Sequence, residues 1–180
     1  MLYTTGVCTT YPHKIRALSD GWFGFAVTEA EDHEEVFRTV LELSDNKPDK
    51  PRLLDYCGAC FLRSFLGHKN WKEEIDNCIV AYELAVHLTP HGHSDLASRM
   101  NMLGVLYYHR FNLAGDLADI SEAIFYQRKA LDLTPEGHGE MPTWLNNLGN
   151  SFKSRFECAG DLADISNAIL YQQKVVNLTS

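Results

Sequence analysis

No stretch of this 180-residue chain is apolar for long enough to cross a bilayer, and no basic segment leads into an apolar run at Met1-Leu2-Tyr3-Thr4-Thr5-Gly6. The sequence therefore predicts neither a transmembrane span nor a secretory leader, and no membrane partner. An excess of positive charge is missing too: 16 Lys and Arg stand against 24 Asp and Glu, a net charge of −8. Nucleic-acid binding draws its affinity from clustered Lys and Arg, so no nucleic-acid partner is expected. Cysteines are few and do not pair off. The five of them, Cys8, Cys57, Cys60, Cys78 and Cys158, are scattered, as expected of a reducing, intracellular and cytoplasmic setting. Strand-like alternation nowhere persists. What is present is an apolar content of 45%, enough to fill a continuous core.

That apolar content is organised by repetition. Phe111 to Thr134 and Phe156 to Thr179, each 24 residues, share 16 identities at an offset of 45, with Ala-Gly-Asp-Leu-Ala-Asp-Ile-Ser unbroken in both. The same offset links Leu88-Thr89-Pro90 to Leu133-Thr134-Pro135 and reaches back to Leu43-Ser44-Asp45. A residue lost before Gly58 and one gained between Phe65 and Ile75 complete the register, both expected between helices. Within each unit the apolar steps are three and four, the spacing of a helix with one buried stripe. First helices read Leu54, Cys57, Phe61, Phe65, then Met100, Leu103, Tyr107, Phe111, then Leu145, Leu148, Phe152, Phe156. Second helices read Ile75, Cys78, Tyr82, Ala85, then Ile120, Ala123, Gln127, Ala130, then Ile165, Ala168, Gln172, Val175.

Helix ends are marked as well. Thr-Pro-x-Gly-His, at Thr89 to His93 and Thr134 to His138, supplies the Pro and Gly that stop each second helix. Its start falls to Asp116 or Asp119, and again to Asp161 or Asp164, whose carboxylates can accept from first-turn amides. Gly58, Gly104 and Gly149 sit inside first helices, where glycine costs about 1 kcal/mol relative to alanine. Their common phase predicts a neighbouring helix passing too close for a β-carbon, with Ala85, Ala123, Ala130 and Ala168 as small partners.

A period between 20 and 50 residues signals a stacked array of helical hairpins. The predicted fold is all-α, an α-solenoid of stacked antiparallel helix pairs in a right-handed superhelix. Residues 30–45 form the second helix of a partial repeat, full repeats span roughly 46–90, 91–135 and 136–180, and residues 1–29 stand outside the pattern. Leu145-Asn146-Asn147-Leu148-Gly149-Asn150-Ser151-Phe152, with Ala123, Ala130 and Pro135 from the second half of a unit, resembles the tetratricopeptide repeat, with Leu145 in place of its Trp. Each unit exceeds that family's usual length of about 34 residues by about eleven. The run from Trp144 to Phe156, followed by Gly160-Asp161-Leu162-Ala163-Asp164-Ile165, resembles long-repeat fungal arrays that often precede a caspase-like CHAT domain. The resemblance spans residues 30–180 and implies a protein-binding scaffold, with a regulatory fragment of a larger CHAT effector as the alternative.

The family commonly uses Asn on the inner wall of first helices to bond a peptide backbone, and Lys or Arg to hold a carboxylate. Carried onto this chain, that implies a partner-binding groove at Asn101, Tyr108, Arg110, Asn146, Asn150 and Lys153 for a protein or peptide. A bland reading of the same residues is that they are solvated polar positions. No catalytic, cofactor or metal site is expected. Cys57-Gly58-Ala59-Cys60 is a single Cys pair and Cys57 fills the slot of Leu103 and Leu148, which makes it a core residue. His87, His91 and His93 are not repeated as a set, since His93 is matched by His138 while His91 becomes Glu136. Cys158 lies in a turn with no nucleophile motif around it. Trp22-Phe23-Gly24-Phe25 is a candidate cap for the first helix of the array, and the last helix presents Ile169, Leu170 and Val176 uncovered, which favours self-association there.

Overall fold

The computed structural model describes residues 30–67 and 71–179; the expectation placed on Trp22 to Phe25 lies outside them. Among the described residues every regular element is a helix: α1 (Ala30–Glu42), α2 (Lys50–Gly67), α3 (Trp71–Leu88), α4 (Leu96–Ala114), α5 (Leu117–Asp132), α6 (Met141–Ala159) and α7 (Leu162–Thr179). Helices α2 and α3, α4 and α5, and α6 and α7 pack as pairs, and α1, α3 and α5 each lie against the first helix of the next pair. The pairs are antiparallel. Gly104 on α4 lies beside Ala123 and Gln127, whereas Arg110, further along α4, meets Asp119, nearer the start of α5. The protein is an all-α, solenoid-like stack.

Two kinds of turn alternate along it. Inside a pair the connection is short, with Gly115 and Gly160 at φ of 75° and 73° and their amides donating to the Phe111 and Phe156 carbonyls at 2.7 Å. Left-handed backbone at this position closes a helix and suits glycine because it lacks Cβ. Between pairs the Thr-Pro-x-Gly-His turn works through its own side chains. Thr134 Oγ1 donates to the Ala130 carbonyl at 2.6 Å, and Thr89 does the same to Ala85. His93 and His138 each accept at Nδ1 from the amide two residues on, at 3.2 Å, and so brace the turn that leads into the next first helix.

The first joint departs from this pattern. The helix-ending hydrogen bond runs from Leu43 to Val40 at the end of α1 and from Thr89 to Val86 at the end of α3, an offset of 46, so the lost residue falls at the end of α1. There Lys50, only 4% exposed, donates to the Leu41 and Leu43 carbonyls and to Asp45. Its ammonium caps a helix C-terminus, where positive charge is favoured. The compensating residue, expected between Phe65 and Ile75, lies in a stretch that includes residues outside the described ones.

The core runs without a break from Val36 on α1 to Ala168 on α7. Leu54, Cys57 and Phe61, then Leu103, Tyr107 and Phe111, then Leu148 and Phe152 are buried on first helices, as the single stripe predicts. Leu53, Leu106 and Trp144 are buried as well and lie off that stripe. A first helix touches its own partner on one side and the preceding second helix on the other, so it needs a wider apolar arc. Of the last second helix only Ala168 and Asp164 are buried, and Ile169, Leu170 and Val176 are exposed.

Candidate interaction cleft

The structure divides the six candidate groove residues three ways. Asn101 and Tyr108 face the next first helix: Asn147 Nδ2 lies 3.5 Å from Asn101 Oδ1, and Ser154 Oγ lies 3.4 Å from the Tyr108 hydroxyl. These two pairs form a polar seam between α4 and α6, and Asn101 is 8% exposed within it. Arg110 stands apart, against second helices. Its guanidinium donates to Asp119 at 3.0 and 2.7 Å and to Asp76 of the preceding pair at 2.8 Å. The hydrogen bond to Asp119, opposed by burial and reinforced by Asp76, holds Arg110 firmly in its charged form. Arg155 repeats the lock with Asp164 at 2.8 and 2.6 Å.

Asn146, Asn150 and Lys153 are the ones brought together. They occupy one face of α6, where Gln172 Nε2 of α7 donates to Asn150 Oδ1 at 3.3 Å and lies 3.5 Å from Asn146 Oδ1. Lys153 projects beside them with its side chain 62% exposed, 3.6 Å from Glu157 on its own helix. An ion pair this exposed contributes little, which leaves the ammonium able to exchange partners. The floor is apolar: Gly149, Ile165, Ala168, Ile169 and Val176 line an open cleft of about 540 Å³. A wall of amides and one cation over such a floor can orient a polypeptide segment by hydrogen bonds while burying its apolar side chains.

Gln172 was not legible as part of this site. By pattern it belongs to the buried stripe of its helix, and its equivalent Gln127 is indeed 1% exposed. Gln127 of α5 lies over Gly104 of α4, with neither its amide nitrogen nor its oxygen hydrogen-bonded to another protein group. What separates the two glutamines is the presence of a following helix pair, which the residues of one unit do not encode.

The other candidates take structural places. Cys57 and Cys78 are buried on α2 and α3, and Cys78 Sγ lies 3.4 Å from the Gly58 carbonyl. Burial pushes both thiols up to about 12, far from the range of a nucleophilic thiolate. Burial also raises Cys60. Cys158 is exposed in the last turn of α6 rather than in the turn expected from sequence, because the helix runs on to Ala159, and His87 and His91 are exposed around the end of α3. Among the described residues no group of three or more His, Cys, Asp or Glu is placed to hold a metal ion, and no helix is long and apolar enough to cross a membrane. No known protein family matches the chain, and no curated protein matches it.

Proposed function

We propose that this chain is a tetratricopeptide-like interaction scaffold that captures a segment of a partner protein at the cleft between α6 and α7. The observation that carries the reading is the convergence of Asn146, Asn150, Gln172 and Lys153 above exposed Ile169 and Val176. Amides satisfy a partner's polar groups, the ammonium meets an acidic one, and the apolar floor supplies the driving force. Asn101 and Tyr108 hold the stack that presents the cleft, and Arg110 locks a hairpin.

Selection of random peptides displayed on phage against the immobilised chain tests this. Selected peptides are expected to bind at least about tenfold more weakly, roughly 1.4 kcal/mol, to an Asn146→Ala/Lys153→Glu double variant whose helicity is unchanged. Peptides that hold both proteins equally would remove the cleft from consideration.

A further inference from the structure

Two side chains where the second helix pair meets the third are buried and unpaired. Gln127 of α5 is 1% exposed and Ser151 of α6 0%, and neither end of the Gln127 amide nor the Ser151 hydroxyl has a hydrogen bond among the described residues. Leaving a buried polar atom without a partner is costly, and nearly all such atoms in folded proteins meet either protein or water. Ser151 does not use its own helix. Ser121 and Ser166 donate to the carbonyl four residues back at 2.9 Å, whereas Ser151 Oγ makes no such contact.

Contacts around the two residues set them at one level of a three-helix junction. On α4, Gly104 lies between Asn101 and Tyr108; on α6, Ser151 lies between Asn147 and Ser154 and shares their helical face. Asn101 meets Asn147 and Tyr108 meets Ser154, so Ser151 comes beside the Gly104 turn of α4. Gln127 reaches the same turn from α5, its Cγ 2.7 Å from where a Cβ on Gly104 would stand. One residue on from each, Arg128 Cζ stands 4.8 Å from the centre of the Phe152 ring, which ties α5 to α6 at that level.

The preceding joint holds different chemistry at the same two positions. One unit back Gln127 becomes Tyr82 and Ser151 becomes Leu106, 8% and 0% exposed. A phenol ring and an isobutyl group thus give way together to a carboxamide and a hydroxymethyl group. The exchange brings in polar atoms and frees volume at once, the two conditions an internal water needs.

We infer that the joint between the second and third pairs binds one internal water molecule, held by Gln127 and Ser151. The water accepts from Gln127 Nε2 and donates to Ser151 Oγ, and the Ser151 hydroxyl donates to Gln127 Oε1. This ring gives each of the three unpaired atoms a partner. It asks only for a turn of the carboxamide about its last torsion, which is soft. A direct bond between the two side chains alone leaves Nε2 bare. A glutamine facing a leucine, the residue that the preceding joint carries at Leu106, has no such ring to enter, so the surfaces of the two joints do not interchange.

Crystallography of the full chain, at a resolution that shows ordered water, tests this beside the Gln127→Met/Ser151→Ala chain. Density for a water within hydrogen-bond distance of both residues is expected in the parent and absent from the double variant. In solution, nuclear magnetic resonance is expected to show magnetisation passing from a long-lived water to the Gln127 side-chain amide. Urea unfolding of the single and double variants supplies a third reading. Each single substitution is expected to lower the folding constant about fivefold or more, and the double to lose at least about fivefold less than the product of the two, because the water leaves with its partners. A Ser151 hydroxyl turned back to the Asn147 carbonyl, a Gln127 bonded to Ser151 with no water between them, or single losses that simply multiply would each overturn the inference.

Discussion

Gly104 and Gly149 occupy the same phase of their helices one unit apart, yet a methyl group meets different surroundings at the two. At Gly104 a Cβ would sit 2.7 Å from Gln127 Cγ and 3.0 Å from the Ala123 carbonyl; at Gly149 its nearest neighbours are Gln172 Nε2 at 3.4 Å and the Ala168 carbonyl at 3.5 Å. Gly104→Ala is therefore expected to destabilise by about 1–3 kcal/mol through overpacking. Gly149→Ala is expected to stabilise by up to about 1 kcal/mol, since a helical glycine is replaced without a clash. Urea midpoints of the two variants, moving in opposite directions, check this. The sequence showed a repeated glycine and so a repeated close approach. It did not show that the contact loosens in the last pair, nor that Tyr82, rather than Ala85, crowds Gly58, with a ring carbon 2.5 Å from the Cβ position.

At the scale of an element, the two aspartates that open α5 divide the work. Asp116 is the cap, its Oδ1 accepting from the Ala118 amide at 2.9 Å, and Asp161 does the same for Ala163. Asp119 and Asp164, three residues on, are buried and receive Arg110 and Arg155. From sequence either aspartate can cap, because both carry the right carboxylate near the first turn; the choice lies with an arginine on another helix. Asp116→Ala is expected to cost about 1 kcal/mol, the usual value of an exposed cap. Asp119→Ala is expected to cost about 2 kcal/mol or more, because Arg110 keeps its charge with only Asp76 beside it. Thermal unfolding of the two variants separates a cap from a lock by the larger shift at Asp119. The arginines explain why helix phase alone could not sort the candidate groove: Arg110 shares a helix with Asn101 and Tyr108 but reaches sideways to α5 and α3.

For the whole molecule, stability is a sum of pair and joint contributions, and the pairs are not equal. Helix α7 is covered on one side only, so its amides are expected to exchange hydrogen faster than those of α5, whose Ile120, Ala123 and Ala130 are 0% exposed. Hydrogen-exchange mass spectrometry measures the difference, and equal protection of the two helices would contradict a stack built of nearest-neighbour contacts. The stack itself was legible because a 45-residue period with helical spacing leaves few other architectures, and the helices fall where the punctuation places them. Less legible was everything decided between units. The second buried arc of Leu53, Leu106 and Trp144, the seam of Asn101 with Asn147, and the contrast of Gln127 with Gln172 all depend on which neighbour lies alongside.

That last contrast bears on how the two glutamine amides are matched. Gln127 is 1% exposed, with no hydrogen bond from either end of its amide to another protein group. Gln172, by contrast, is exposed and donates to Asn150 at 3.3 Å. Covering Gln172 would therefore leave its donor matched, whereas Gln127 is buried with no hydrogen bond to another protein group.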